Sequence, residues 1–133
     1  MVFIYLLEDH PAYAPKVRRI YERMQERGDD LFTSTLTFGE ALTGSFKGGD
    51  IKLADDMRQL FRSSEVELLP FMPGTAEVYA SIRAKGNISP PDAIHLATAA
   101  EAGTDLFLTN DKHLHRLTIP GIHFIAGLDG TIF

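Results

Sequence analysis

Cysteine is absent from the 133 residues, which removes disulfide frameworks, thiolate nucleophiles and Cys-based zinc sites and fits a reducing compartment such as the cytoplasm. No apolar run approaches the roughly 18 residues that a membrane span needs, and no basic stretch leads into an apolar signal core. Membrane insertion and secretion are therefore not expected. Positive charge is in short supply, because 13 Lys and Arg against 18 Asp and Glu leave a net charge of −5. That is the wrong sign for holding nucleic acid by counterion release, so a phosphate substrate would need a bridging cation. Gly-rich phosphate loops, a G-x-S-x-G elbow and an H-E-x-x-H zinc pattern are also missing, as are internal repeats and low-complexity stretches. What is present, 44% hydrophobic and 23% charged residues, describes an ordinary globular chain, expected to form one domain over residues 1–133.

The apolar run from Val2 to Glu8 reads equally well as a helix turn or a strand. From Pro15, Val17, Ile20, Tyr21 and Met24 recur at helical spacing, with Gly28 as a C-terminal stop. LFTST then reads as a strand, followed by a helix through Phe38, Glu40, Ala41 and Leu42 up to Gly48 and Gly49. Asp50 caps a further helix whose stripe is Ile51, Ala54, Met57, Leu60 and Phe61, and VELLPF from Val66 to Phe71 is a second strand. Pro73 and Gly74 reset the chain before a helix opened by Thr75 and ended by Gly86. Ser89 and Pro90 start the next helix, which Gly103 stops; strands follow at Leu106–Thr109 and Ile122–Ile125. Strands separated by helices, with no two-residue hairpin signal, predict an α/β fold with a parallel sheet covered on both faces.

In such sheets ligands bind beyond the C-terminal strand ends. Three acids fall there: Glu40 after LFTST, Asp92 at the start of PPDAIHLATA, and Asp111 after LFLTN. Each also has a purely structural reading. Asp92 stands three residues after Ser89 as in a capping box, Glu40 suits a solvated first turn, and Asp111 in TNDKHL suits a turn or cap. His113 and His115 are two apart and share no helix face. His95, three residues after Asp92, sits among Ile94, Leu96 and Ala97 and reads as a packed, hydrogen-bonded histidine.

The segments TLTFGEAL around Glu40, PPDAIHLATAAEAG around Asp92 and TDLFLTNDKHLHRL around Asp111 together resemble the PIN domain family, in particular the VapC-like toxin ribonucleases of bacterial toxin–antitoxin pairs. The resemblance implies a three-layer α/β domain in which an acidic cluster holds Mg²⁺ or Mn²⁺ at the C-terminal edge of the sheet. Glu40, Asp92 and Asp111 match that cluster, and Thr109 matches a hydroxyl position beside it. The implied activity is endonucleolytic hydrolysis of RNA to a 5′ phosphate and a 3′ hydroxyl. Apart from the resemblance, Lys112, Arg116, Lys47 and Arg83 are candidates for gripping the substrate's flanking backbone, with solvated surface as the default reading of each. A cognate antitoxin and a homodimer are the implied partners; Phe46, Phe61 or Tyr79 could contribute an apolar patch, with burial in the monomer as the default for each. The alternative is a catalytically impaired PIN scaffold that binds an antitoxin or a second copy of itself.

The sequence also departs from the family. Such domains begin with an apolar strand ending in Asp, whereas this chain opens inside the helix that follows. The expectation is an N-terminally truncated domain lacking the central first strand and one carboxylate, with LDGTIF and its Asp129 as one conceivable filler. DNA just upstream of Met1 is expected to encode an in-frame apolar stretch ending in Asp; an in-frame stop directly before Met1 would end that expectation.

Overall fold

The computed structural model describes residues 14–63 and 66–128. The apolar segment Val2–Glu8 and the proposed filler residue Asp129 lie outside the described residues. The first helix, α1 (Ala14–Arg27), buries Val17 on the stripe that the periodicity predicts. It ends where Gly28 takes φ +73° and donates to the Gln25 carbonyl, a left-handed position that glycine occupies without steric cost.

Strand β1 (Phe32–Ser34) runs directly into α2 (Thr35–Lys47), with Ser34 as the N-cap whose side chain accepts from the Thr37 amide. Helix α3 (Ile51–Arg62) starts on Asp50, whose carboxylate accepts from the Leu53 amide at 3.0 Å. Strand β2 (Glu67–Leu69) is shorter than VELLPF suggests, because Pro70 has no amide to continue a ladder. Helix α4 (Pro73–Lys85) begins two residues before the expected Thr75. Pro73 occupies its first turn, where a missing N–H costs nothing, and the Thr75 hydroxyl accepts from the Met72 amide. Helix α5 (Pro90–Ala102) has Ser89 as N-cap and left-handed Gly103 as C-cap, as its sequence predicts. Strand β3 (Thr104–Leu108), a 3₁₀ turn (Leu114–Arg116) and strand β4 (Ile122–Ala126) complete the described elements.

All pairings are parallel, so the fold is α/β as expected. The sheet is divided, however. Among the described residues β1 pairs with β2 in the register Thr33 to Leu68, β3 pairs with β4 in the register Phe107 to Ile125, and no ladder joins the two pairs. Helix α5 bridges them by packing against both β1 and β3. Its small face makes this possible, because Ala93 and Ala97 are fully buried beside Leu96 and let the backbone approach closely.

Two apolar clusters result. One gathers Ala93, Leu96 and Ala97 of α5 with Ile82 of α4, Leu114 and Ile122. The other joins Ala41, Met57, Phe61 and Val66, with Phe38 and Phe61 ring centroids 5.0 Å apart. Two residues assigned to packed positions lie outside these clusters. Ile51 is 76% exposed at the first position of α3, where the helix has not yet turned onto the core. Phe46 is 60% exposed, with the Arg58 guanidinium over one part of it, 5.6 Å from its ring centre. No described helix is long and apolar enough to cross a membrane.

The entry to β4 depends on one close approach. Gly121 has φ +98°, and a Cβ there would run into the Ala100 carbonyl of α5. Gly28 is also left-handed, yet a Cβ at Gly28 would meet nothing within 4 Å. Gly28→Ala is therefore expected to cost about 1 kcal/mol and Gly121→Ala clearly more, about 2 kcal/mol or above, in urea unfolding. Equal losses would remove the steric role assigned to Gly121.

Candidate active site

The turn from β1 into α2 brings together a polar cluster. Ser34 and Thr37 are buried, and the Ser34 hydroxyl accepts from the Thr37 amide at 3.2 Å while lying 3.2 Å from the Thr37 hydroxyl. From the facing helix α5, His95 places Nδ1 2.7 Å from Ser34 Oγ and Nε2 3.3 Å from Glu40 Oε1. The His95 side chain is 14% exposed and that of Glu40 43%, so the imidazole sits between a dry cap and a wet carboxylate. Asp92, one turn earlier on α5, adds its field to the same ring. Burial is the largest influence on His95 and lowers its proton affinity; Glu40 and then Asp92 pull it back, and the net result stays below the ordinary value of 6.5.

Asp92 also serves its own helix. Its amide donates to the Ser89 hydroxyl at 3.4 Å, and that hydroxyl donates to Asp92 Oδ2 at 3.0 Å. This is a capping contact through side chains rather than the reciprocal backbone box, because Asp is too short to reach the Ser89 amide.

Asp111 is positioned by a separate device at the end of β3. Thr109 donates its amide to Ala126 O at 3.0 Å, extending the β3–β4 pairing by one bond. The Thr109 hydroxyl accepts from the Asp111 amide at 3.1 Å, and Asp111 Oδ1 accepts from the His113 amide at 2.9 Å. His115 Nε2 lies 2.9 Å from the Thr109 carbonyl, the distance of an N–H donating to it. Gly127 makes room for that ring, since a Cβ there would come within 2.6 Å of His115 Cε1. Lys112 and Arg116 are exposed beside this loop.

The structure thus brings Glu40 and His95 into contact with Asp92 in electrostatic reach. Among the described residues Asp111 shares no hydrogen bond or ion pair with Glu40, Asp92 or His95, and no three His, Asp or Glu side chains gather closely enough to hold a metal ion. The site is an open rim. A cleft of about 230 Å³ lies elsewhere, at the turn from α2 to α3, lined by Phe46, Ile51 and Arg58 among others and by none of the three acids.

The whole sequence bears directly on this constellation, for it matches the PIN domain over residues 1–120. The chain belongs to the PIN domain family. Its fold is similar to the crystal structure of VapBC2 from Rickettsia felis bound to a DNA fragment from their promoter, with a TM-score of 0.75. The similarity covers 95% of this chain and 92% of that one at 17% identity. Among curated proteins none matches.

PIN domains typically use divalent metals, and the donor set of this PIN domain suits a hard cation. Each of the three acids commits one oxygen within the protein: Glu40 Oε1 to His95, Asp92 Oδ2 to Ser89 and Asp111 Oδ1 to the His113 amide. Among the described residues the second oxygen of each accepts no hydrogen bond, so all three keep a ligand of the kind that Mg²⁺ and Mn²⁺ prefer.

Sequence reasoning did not single out Ser34 or Thr37. The signal was present, because a Ser just before TLTFGE is a strong N-cap, but its contact with His95 spans 61 positions and leaves no local pattern.

His95 also gives this PIN domain a pH dependence. Its folded proton affinity lies below that of the unfolded chain, so below about pH 6.5 the unfolded state binds more protons. Stability is expected to fall as the pH drops from 7.5 through 6.5, and to stop falling on this account once the folded imidazole is itself protonated. Melting temperatures across pH 5–8, compared between the native chain and His95→Gln, measure it. Identical profiles would assign the dependence to other groups.

Proposed function

We propose that this PIN domain is a divalent-cation-dependent ribonuclease, the toxin of a type II toxin–antitoxin pair, cleaving RNA endonucleolytically in the cytoplasm. Glu40, Asp92 and Asp111 would hold Mg²⁺ or Mn²⁺, directly or through water. The observation that carries the reading is that Glu40 and Asp92, remote in sequence, both act on the His95 imidazole, Glu40 by contact and Asp92 through its field, while each keeps an oxygen that accepts no hydrogen bond among the described residues.

When bound, a hard divalent ion supplies a water of lowered pKa and offsets charge on the phosphate. The rest falls to the chain. A carboxylate oxygen of the acidic group accepts a hydrogen bond from the attacking water and aligns it in line with the departing 3′ oxygen. The Ser34–His95–Glu40 contacts keep Glu40 from swinging into solvent. Thr109 and Gly127 fix the loop that presents Asp111, and Lys112, exposed at the next position, provides a cation for the RNA backbone. The net charge of −5 then raises no objection, because the ion mediates between an acidic rim and an anionic substrate.

An antitoxin partner is proposed from the similarity in fold to VapBC2, and a homodimer with it. Phe46, exposed at the end of α2, is available for such contacts, whereas Phe61 is buried. A second reading, a PIN scaffold that binds its antitoxin without cleaving, draws support from the commitment of Asp111 to its own turn outside the Glu40 group.

Calorimetric titration with Mn²⁺ alone, followed by cleavage of structured RNA, separates the two. The nuclease reading expects saturable binding and a loss of cleavage on the order of 100-fold or more in Glu40→Gln and Asp92→Asn at unchanged melting temperature. Unchanged cleavage in those variants, or no binding and no cleavage by the native chain, would favour the scaffold. Light scattering of the eluting protein reads the stoichiometry.

A further inference from the structure

We propose that His95 is a positioning residue for Glu40: its imidazole transmits the fixed geometry of the Ser34 cap, at the end of β1, to the Glu40 carboxylate by donating Nε2–H to Oε1. The inference rests on the nuclease reading only for its catalytic consequence; the hydrogen-bond polarity stands on geometry alone.

That polarity follows from which groups can donate. An ionised carboxylate only accepts, so Nε2, 3.3 Å from Glu40 Oε1, must carry hydrogen; the opposite tautomer would direct a lone pair at a negative oxygen. In the neutral ring Nδ1 is then an acceptor, and Ser34, 2.7 Å away, donates its hydroxyl hydrogen there. Ser34 Oγ accepts from the Thr37 amide and lies 3.2 Å from the Thr37 hydroxyl. The result is a directed chain: Thr37 to Ser34, Ser34 to His95, His95 to Glu40. Protonating the ring makes Nδ1 the donor to Ser34 and frees the Ser34 hydroxyl hydrogen to turn towards Thr37; the Nε2–H bond to Glu40 is the same in both states, so the positioning role does not depend on titration.

The two ends of the chain differ in rigidity. Ser34 and Thr37 are buried, and no buried side-chain polar atom among the described residues lacks a partner. Glu40 is a three-torsion side chain with nearly half its surface in water, and outside this contact nothing described holds its carboxylate. A largely enclosed imidazole, flat and with only two torsions, is a stiff strut between them. Its 2.7 Å contact lies on the rigid side and its 3.3 Å contact on the mobile one, as expected if order passes from the cap outward.

Two substitutions divide the ring. Asn places its amide near Nδ1, so His95→Asn keeps a partner for Ser34 and loses the donor to Glu40. Gln reaches the Nε2 position, so His95→Gln keeps the donor and loses the Ser34 contact. Titration of the protein with Mn²⁺ alone is expected to show affinity about 10-fold weaker in His95→Asn and within about 3-fold of native in His95→Gln, the range found when an outer-shell partner of a ligand is removed. Both variants are expected to melt below the native chain by similar amounts. Affinities that are unchanged in both variants, or that fall in step with melting temperature, would reduce His95 to a packing residue.

A second readout does not involve metal. Imidazole ¹⁵N shifts of the native protein at pH 8 are expected to show Nε2 protonated and Nδ1 bare, with the Nε2 resonance moving in Glu40→Gln. An Nδ1–H ring, or an Nε2 shift indifferent to that substitution, would overturn the proposal. If the native chain binds no Mn²⁺ while the ¹⁵N result holds, the nuclease reading fails and the Glu40 contact stands.

Discussion

The strongest constraint on this molecule is placed on α5. Among the described residues the two parallel strand pairs share no ladder, so the task of relating β1 to β3 passes from backbone hydrogen bonds to one helix. A ladder would fix neighbouring strands at about 4.8 Å through directional bonds. Side-chain packing fixes them less specifically, which makes the composition of α5 decisive. Alanines at 93 and 97 permit close approach, Leu96 fills the space between them, and His95 adds the directional contact that dispersion forces lack. The helix that holds the halves together is thus also the one that carries Asp92.

The site and the fold therefore share parts. Ser34 ends a strand, caps a helix and grips an imidazole; Asp92 caps its own helix and acts on the same ring. At the other end of the rim, Thr109 continues a ladder with its backbone and orients Asp111 with its hydroxyl. In each case one carboxylate oxygen is used for architecture and one is left over. The structural readings of Asp92 and Asp111 as capping and turn residues are correct, and they leave room for chemistry.

Which features were legible in the sequence follows from the range of the forces behind them. Caps act over three residues, so Asp50, Ser89 and Gly103 marked their helix ends accurately. Apolar periodicity located Val17, Ala54, Met57 and Phe61 for the same reason. The exposure of Phe46 and its contact with Arg58, a helix away, left no local pattern. The pairing of β1 with β2 and of β3 with β4 was not written in any one segment, because ladder partners are chosen by the assembled chain. Similarly, the acids Glu40, Asp92 and Asp111 were found through motifs, yet their relation to Ser34 and His95 emerges only when α5 crosses β1.

The division of the described strands bears on the proposed cation site. Glu40 and Asp92 ride on elements joined through the Ser34–His95 contact, while Asp111 rides on the β3–β4 pair, anchored by Gly127 and His115. Among the described residues those two groups are related through the packing of α5 rather than through a ladder. If the three acids hold a cation as proposed, such packing would fix the ligand spacing less strictly than a ladder and would let ions of different radius be accommodated.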